Sequence, residues 1–295
     1  AICKVVYDNA EKLGPMAAEE SRMGSEQDKI AKCRNKSALI WESLKDKKSC
    51  DIINRIEERR MIEVAKPVGV VASIIPSTNP VVTPMSNGAF ALKCRNSVIF
   101  APHPRAVKCT KLLVEMFRAE LKKLGLPEDL VLGLEEVSND LTSELMSAAD
   151  MVVATGGMGM VKAAYSSGKP AIGVGQGNVQ CIIDEDADIA DAVGKIIIGR
   201  AFDNGLICLG EQTVFVPEDK EAEFVAEMKK QGGYLVEGEE NVDKLREGLF
   251  PGGDAFSRVV VGMFADQVSD EIGLGAPKGT RVLFAKAKAL GAGDV

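Results

Sequence analysis

One cysteine of the chain lies in a setting that suits a nucleophile. Cys208 stands between a predicted helix that ends near Phe202 and a predicted strand at 212–216, with Gly205 and Gly210 on either side. A reactive thiolate needs a polar and partly open environment, and glycines allow backbone amides to approach it closely. Because most unpaired cysteines are small buried hydrophobes, a structural role for Cys208 is the alternative. The surrounding segment is Asp203-Asn204-Gly205-Leu206-Ile207-Cys208-Leu209-Gly210-Glu211-Gln212.

Glycine-rich turns form a second candidate site. A predicted strand runs directly into a helix through a glycine cluster, where backbone amides can cradle a phosphate. We therefore predict a cofactor contact at Thr155, Gly156, Gly157 and Gly159. Since Gly-Gly-x-Gly is a weak pattern, a tight turn without a ligand is the alternative. The later run Gly173-Val174-Gly175 suits a twisted strand that passes close to a cofactor.

Two further polar segments follow buried strands. Thr78 and Asn79 come after the apolar run 68–75, and Pro102-His103-Pro104-Arg105 comes after the run 97–101. Ligands of open α/β sheets bind at the carboxyl ends of strands. The Thr78 hydroxyl or the Asn79 amide could donate to a developing oxyanion, although Thr-Asn-Pro is also good turn chemistry. A rigid loop with one His and one Arg suits a ribose or a phosphate, and an exposed loop without a ligand is its alternative.

Alternating strands and helices position these segments. From Pro67 onward the pattern predicts a parallel, doubly wound, Rossmann-like sheet with right-handed crossovers, followed after residue 205 by the start of a second α/β domain. The predicted strands are 68–75, 97–101, 131–134, 151–154, 172–174, 179–183, 212–216, 234–236, 259–261 and 281–284. The predicted helices are 85–92, 105–124, 141–148, 188–202 and 219–230; Val107, Leu112, Met116, Leu121 and Leu124 mark the apolar side of the second.

The first 66 residues follow other patterns. Apolar residues recur at helical spacing through residues 1–48, with Gly14-Pro15 predicted to break the first helix. Residues 51–66 alternate as a charged hairpin, typical of an edge or intersubunit strand. The helical faces consist of Val6, Ala10, Leu13 and Ala17 and, more loosely, of Ile30, Cys33, Ala38, Ile40 and Trp41.

The composition limits the class of protein. The chain has 295 residues, of which 46% are hydrophobic, and a formal net charge of −7, which disfavours a nucleic-acid binder. The chain contains no run of about 18 apolar residues, so no membrane span is predicted, and no signal peptide is recognisable. Seven irregularly spaced cysteines and no Cys-x-x-Cys favour a reducing cytoplasm. A single histidine, His103, excludes most histidine-based metal sites, so no metal is predicted.

Taken together and in order, these segments resemble the coenzyme A-acylating aldehyde dehydrogenases. That group includes the acylating acetaldehyde and succinate-semialdehyde enzymes and the aldehyde dehydrogenase half of bifunctional aldehyde–alcohol dehydrogenases. The similarity spans essentially the whole chain. The matching stretches are Pro67-Val68-Gly69-Val70 through Thr78-Asn79-Pro80, Arg95-Asn96 through Pro102-His103-Pro104-Arg105-Ala106, Ala154-Thr155-Gly156-Gly157 through Lys169-Pro170-Ala171, Gly173-Val174-Gly175 with Gly177-Asn178, and Asp203-Asn204-Gly205 with Cys208, Glu211 and Gln212.

The resemblance implies an aldehyde dehydrogenase fold and a homodimer or higher homo-oligomer. Residues 1–205 would form the NAD-binding domain, with an oligomerisation hairpin at about 51–66, and residues 206–295 the first part of a catalytic domain. The family's chains extend beyond the counterpart of Val295. Since this chain also begins without Met and within a helical pattern, we expect it to be truncated at both ends, as a fragment or a natural truncation.

The resemblance also implies a reaction. The Cys208 thiolate attacks an aldehyde, and its own N–H together with a polar group of the 77–79 loop holds the oxyanion. Hydride passes to NAD, and coenzyme A takes the acyl group from the thioester. Hydrolytic relatives carry a water-activating Glu where Gly173 stands. The loop 102–105 would contact the adenosine ribose and CoA, and residues 155–159 would lie near the pyrophosphate and nicotinamide.

One departure and two alternatives stay open. Many members carry Ser where Gly210 stands, which is expected to alter the pocket beside Cys208. The missing C-terminal third suggests a non-catalytic nucleotide-binding or assembly module as one alternative. The other is a phosphate-reducing semialdehyde dehydrogenase of the same fold, which the His103 loop and the 203–212 segment disfavour.

Overall fold

The chain divides into two compact units in a computed structural model that describes residues 1–253 and 256–287. The first unit contains residues 1–22 and 26–176, and the second contains residues 23–25 and the described residues from 177 onward. No helix in the described ranges is both long enough and apolar enough to cross a bilayer.

Three helices open the first unit: α1 (Ile2–Asp8), α2 (Ala10–Ser21) and α3 (Glu26–Leu44). The predicted apolar face of α1 and α2 is confirmed, because Val6, Ala10, Leu13 and Ala17 are all buried. The predicted break at Gly14-Pro15 is wrong: the chain breaks at Asn9, and α2 continues through Pro15. Gly14 instead allows close packing, since a Cβ there would lie 2.6 Å from Ile30 Cγ1 on α3.

The predicted hairpin is confirmed. Strands β1 (Asp51–Ile56) and β2 (Met61–Ala65) pair antiparallel, and a short 3-10 turn at Glu57–Arg59 joins them. Arg60 closes the turn in the left-handed region, with φ of 49°. Several large apolar side chains of the hairpin are exposed to solvent: Ile52, Ile53, Met61, Ile62 and Val64.

A five-stranded parallel sheet forms the centre of the first unit and confirms the predicted doubly wound class. Its strands are β3 (Val70–Ile74), β4 (Ser97–Ala101), β5 (Val131–Gly133), β6 (Met151–Thr155) and β7 (Ala171–Val174), in the spatial order β5-β4-β3-β6-β7. The helices between them are α4 (Val82–Lys93), α5 (Val107–Lys123), α6 (Asn139–Ala148) and α7 (Met158–Tyr165). The strand order reverses between β3 and β6, which is the usual ligand position in such sheets.

Two helices bury faces that overlap only in part with the predicted ones. On α5 the buried side is displaced by about one position, and Leu124 is 55% exposed. On α3 the predicted Trp41 is 52% exposed, and the buried stripe is largely polar. The buried residues of α5 are Cys109, Thr110, Leu113, Val114, Phe117 and Leu121, and those of α3 are Lys29, Lys32, Cys33 and Ser37.

The second unit contains two parallel strand pairs, β8 (Gln180–Ile182) with β9 (Thr213–Phe215) and β10 (Gly233–Leu235) with β11 (Val282–Phe284). Its helices are α8 (Ile189–Ala201), α9 (Glu221–Lys230), α10 (Glu239–Leu249) and α11 (Ala265–Ile272). The predicted strand at 259–261 is wrong. Residues 258–262 form a turn, with Gly262 at φ of 75°.

The division between the units falls after Gln176, whereas the predicted domain boundary is at 205. Helix α8 accounts for the difference, because it packs with α9 and β11 in one apolar cluster. Val193 and Ile197 of α8 are completely buried there. The assignment of residues 1–205 to a cofactor domain stays a prediction.

Candidate active site

Three predicted site segments leave the first unit's sheet side by side. Strand β3 pairs with both β4 and β6, so Ile74 lies beside Ala101 on one side and Ala154 on the other. The loops that follow these three strands carry the Thr78–Asn79 pair, the segment 102–105 and the segment 155–157. The topology therefore brings these segments to one edge of the sheet, at the point where the strand order reverses.

The Asn79 amide is held on its oxygen side. Lys32, which is only 4% exposed, donates from Nζ to Asn79 Oδ1 at 2.9 Å. Asn79 Nδ2 donates to Thr78 Oγ1 at 3.2 Å. An amide nitrogen carries two protons, and within the described ranges only Thr78 accepts one of them. The second proton is thus available to a bound group.

The glycine turn leads into an uncapped helix. Helix α7 begins after Gly157, whose carbonyl accepts from Met160 N and Val161 N, and no side chain caps the helix. A Cβ at Gly157 or Gly159 would meet no atom within 4 Å, so this helix start is open. Free first-turn amides and the positive end of the helix dipole together suit an anion.

The loop 102–105 fixes the state of its histidine. The Arg105 backbone N–H donates to His103 Nδ1 at 3.1 Å, so the ring proton belongs on Nε2. Burial lowers the pKa of His103 below its ordinary 6.5, and the Arg105 charge lowers that pKa further. His103 is therefore a neutral imidazole at pH 7, able to donate from Nε2.

The helix that follows this loop is already capped by a carboxylate. Glu20 accepts from Lys108 N at 2.6 Å and from Cys109 N at 2.7 Å, at the start of α5. Burial and the Glu20 carboxylate raise the pKa of the Cys109 thiol well above its ordinary range. Because Glu20 occupies these amides, a ligand at the loop would meet its side chains rather than the α5 terminus.

A side chain at Gly173 would require its neighbours to move. A Cβ there would lie 2.8 Å from Tyr165 Cε2 and 2.8 Å from Val161 Cγ1. The Tyr165 hydroxyl also accepts a hydrogen bond from Gly173 N at 3.2 Å. Gly175 is similarly close to α7, with Met158 Sδ 2.8 Å from its ideal Cβ position. The strand β7 therefore lies directly against α7, and glycine at 173 allows this close contact.

In the second unit, a left-handed turn leads to Cys208. Asp203, Asn204 and Gly205 have φ of 51°, 53° and 73°, a run that costs roughly 1–2 kcal/mol per residue for most side chains and is tolerated by Asp, Asn and Gly. Asp203 is fully buried and accepts from Ser25 N at 3.1 Å, and Asn204 Nδ2 donates to the Gly262 carbonyl at 2.9 Å. These hydrogen bonds fix the start of the loop that carries Cys208.

Cys208 occupies an exposed turn. Gly210 N donates to the Ile207 carbonyl at 3.1 Å, which places Cys208 next to the start of that turn. Of the seven cysteines, all of which lie in the described ranges, Cys208 alone is exposed. Its backbone N–H donates to no described residue, so it can serve a bound group.

The residues beside Cys208 are closely packed. Gly210 is buried, and a Cβ there would lie 3.2 Å from the Gly199 carbonyl oxygen, so the Ser of many relatives would need a small shift of the loop. Glu211 Oε2 is buried with no hydrogen-bond partner among the described residues. Burial lowers the pKa of Arg200, and the Glu211 charge opposes that shift.

The predicted site residues thus lie in both units. Cys208 belongs to the second unit, and the other predicted residues belong to the first. Sequence reasoning missed three contacts around these segments: Lys32 with Asn79, Tyr165 with Gly173, and Glu20 with the start of α5. For Lys32 the signal was its position beside Cys33 on the buried side of α3, whereas the contacts of Glu20 lie 88 and 89 residues away and leave no local pattern.

Comparisons with known proteins agree on one family. The sequence matches the aldehyde dehydrogenase family over residues 7–244. It is 48% identical over 295 residues to the succinate-semialdehyde dehydrogenase (acetylating) of Clostridium kluyveri, covering 100% of this chain and 65% of the relative. It is 38% identical over 274 residues to the bifunctional aldehyde-alcohol dehydrogenase AdhE of Escherichia coli K12, covering 92% of this chain and 30% of that relative.

Solved structures give the same picture. An acetylating aldehyde dehydrogenase from Geobacillus thermoglucosidasius superposes with a TM-score of 0.93 at 38% identity, over 99% of this chain and 64% of that one. A Rhodopseudomonas palustris propionaldehyde dehydrogenase with bound propionyl-CoA superposes with a TM-score of 0.83 at 32% identity, over 96% of this chain and 63% of that one. The chain therefore spans less than two thirds of the length of these relatives.

Proposed function

The chain belongs to the aldehyde dehydrogenase family, and from this premise we propose that the protein oxidises a small aldehyde to its acyl-CoA, with NAD as hydride acceptor and Cys208 as nucleophile. The observation that carries the acylating form of the reaction is the packing around Gly173. Named relatives at 48% and 42% identity, a succinate-semialdehyde dehydrogenase (acetylating) and a sulfoacetaldehyde dehydrogenase (acylating), support the same assignment.

The Gly173 packing acts through the fate of a thioester. In hydrolytic relatives a Glu at the matching position activates water, according to the resemblance described above. Here one atom of Tyr165 and one of Val161 each lie 2.8 Å from the position that the first side-chain carbon of that Glu would take. Without a base at 173, water is a poor nucleophile, and a Cys208 thioester persists until a better nucleophile arrives. A free thiol such as that of coenzyme A is the better nucleophile.

Cys208 suits the first step. Its exposed turn presents the sulfur to solvent, and its unused N–H lies on the same residue. The thiolate sulfur forms a bond to the aldehyde carbon, and the carbonyl oxygen becomes an oxyanion. We propose that the Cys208 N–H and the free Asn79 Nδ2 proton donate to that oxygen, a form of stabilisation worth about 100-fold to 1,000-fold per donor.

The first unit suits a dinucleotide. The open α7 terminus, with Gly156, Gly157 and Gly159 around it, would hold the diphosphate, and Thr155 would lie beside it. The loop with neutral His103 would donate to a ribose hydroxyl or to CoA. When bound, NAD supplies a two-electron hydride acceptor, and the protein's part is to orient the aldehyde carbon and exclude water.

The final step regenerates the cysteine. The CoA sulfur bonds to the acyl carbon of the Cys208 thioester, the carbon–Cys208 bond breaks, and the CoA thiol proton leaves to solvent or to the released thiolate. In this second addition the negative charge develops on the oxygen of the same carbon as in the first. The same Asn79 and Cys208 donors therefore serve both steps.

The test is CoA-dependent NADH formation by the full-length gene product. Acetaldehyde, propionaldehyde and succinate semialdehyde are tried with NAD and with NADP, and a glutamyl phosphate arm tests the phosphate-reducing alternative. Cys208→Ser is expected to abolish turnover, whereas Cys181→Ser, a half-buried cysteine of the same unit, is expected to retain it. Turnover that persists in Cys208→Ser would overturn the assignment.

Intact-mass measurement adds a second readout. With aldehyde and NAD but without CoA, the wild type is expected to gain one acyl mass on Cys208, and addition of CoA is expected to remove it. Rapid loss of the acyl mass in water alone would contradict the argument from Gly173. No turnover with any aldehyde would favour the non-catalytic alternative.

A further inference from the structure

Lys32 is buried and contacts a predicted site residue, and nothing in the reaction described so far uses it. Lys32 lies on α3, is 4% exposed, and donates to Asn79 Oδ1 at 2.9 Å across 47 residues of sequence. Burying an ammonium group costs free energy even when it is paired, so such a residue calls for a specific reason. Its contact with the predicted oxyanion donor indicates what that reason is.

We propose that Lys32 is a positioning residue that fixes and polarises the Asn79 amide as an oxyanion donor. This inference rests on the proposed function, because it assigns Lys32 a part in the same reaction. Lys32 touches neither Cys208 nor the aldehyde in this scheme. Its proposed effect on the reaction passes through Asn79.

The orientation follows from which atoms can donate. An ammonium group has three donors and no acceptor, so only the oxygen side of the Asn79 amide can face it. A rotation of the amide by 180° would bring Nδ2 protons against Nζ protons. Lys32 therefore selects the rotamer in which Nδ2 points away from α3, with one proton on Thr78 Oγ1 and the other available.

The charge has a second consequence. A hydrogen bond from a cation to the amide oxygen is stronger than a neutral one, and it draws electron density away from the amide nitrogen. The remaining Nδ2 proton becomes a better donor. Because this gain matters most when negative charge develops, it should affect the rate of the chemical step more than binding of the aldehyde.

The neighbouring lysine provides a matched control. Lys29 lies on the same buried stripe of α3 and is also 4% exposed. Its charge acts on Cys109, whereas the hydrogen bond to Asn79 Oδ1 comes from Lys32. Lys29→Met and Lys32→Met therefore remove the same group from equally buried positions, and only Lys32→Met removes the contact with the amide.

The experiment is a double-mutant cycle on the full-length gene product, with wild type, Lys32→Met, Asn79→Ala and the double variant. Lys32→Met is expected to lower kcat about tenfold, the loss typical of one charge-assisted hydrogen bond, with the KM for aldehyde nearly unchanged. The double variant is expected to match Asn79→Ala within about twofold in kcat, because the proposed contribution of Lys32 to the chemical step passes through the amide that Asn79→Ala removes. Lys29→Met should show no coupling to Asn79→Ala.

Additive losses in the cycle, an unchanged kcat in Lys32→Met, or an equal coupling for Lys29 would overturn the proposal. Lys32→Gln, which keeps a donor on a shorter side chain, is measured in parallel so that misfolding of one variant does not decide the result. A wild type without CoA-dependent NADH formation would instead refute the proposed function. The two failures are therefore distinguishable.

Discussion

At the scale of single residues, the proposed chemistry depends on one histidine and one exposed cysteine. His103 is its single histidine, and its own loop occupies Nδ1 through the Arg105 N–H. Cys208 is the exposed cysteine, whereas Cys109 is buried and bonded to Glu20, which opposes ionisation of its thiol. Exposure and burial therefore favour Cys208 as the proposed nucleophile.

The imidazole of His103 is expected to titrate below 6.5. Its lowered pKa means that the folded chain binds fewer protons than the unfolded chain between the folded pKa and 6.5, so stability falls as pH drops through that window. Proton NMR of the one histidine signal checks the pKa directly. The pH dependence of urea unfolding for wild type and His103→Gln checks the linkage.

In that comparison, the difference in unfolding free energy between wild type and His103→Gln should be constant above pH 7. It should change against the wild type as the pH falls toward 5. A midpoint above 6.5, or a difference independent of pH, would contradict a burial-lowered pKa.

At the scale of elements, helix ends decide where an anion can bind. The α5 terminus is filled by Glu20, and the α7 terminus is open. Both helices follow strands at the same edge of the sheet, so only the cap distinguishes them. The sequence predicted a phosphate contact near both, and the structure leaves free amides at α7.

Removal of the Glu20 cap should destabilise the first unit. Glu20→Gln is expected to lower the free energy of unfolding by about 1–2 kcal/mol. Both hydrogen bonds from the backbone amides at the start of α5 would weaken when the carboxylate is replaced. Glu19→Gln, at an exposed position next to it, is the matched control and should cost far less. Urea denaturation of the two variants measures the difference, and equal losses would contradict the capping role.

At the scale of the whole molecule, the hairpin presents apolar side chains that no described part of the chain covers. Ile52 pairs with Val64, and Ile62 lies two residues along β2, so these three exposed side chains share one face. The resemblance assigns this region to oligomerisation. A second copy of the chain is the occupant that we expect there.

Ile62→Lys combined with Val64→Lys is expected to shift the full-length protein toward monomer, because burial of two charges against an apolar partner surface is costly. Light scattering after size exclusion measures the mass in solution. Leu39→Lys, at an exposed apolar position on α3, is the control and should leave the mass unchanged. A monomeric wild type, or an unchanged mass in the hairpin variant, would contradict the assignment.

The sequence by itself determined the strands of the sheet, the hairpin and the segments that could carry chemistry. Continuous apolar runs such as 70–74 and 97–101 are local signals of strands buried on both faces, and turn residues mark their carboxyl ends. The resemblance then supplied the family, which the comparisons confirmed over residues 7–244. These features depend on residues close together in the chain, so a pattern of types and spacing is enough to find them.

Only the tertiary structure decided which side chains hold the site. The Lys32–Asn79 bond spans 47 residues and the Glu20 cap 88, and no local pattern encodes such pairs. Packing also overrode local propensity, since α2 continues through Pro15 where Gly14 lies against Ile30, and the β-branched residues at 259–261 form a turn. Burial is a property of the folded neighbourhood. In the sequence Lys32 has the character of a surface charge, but in the fold it is buried and donates to the Asn79 amide.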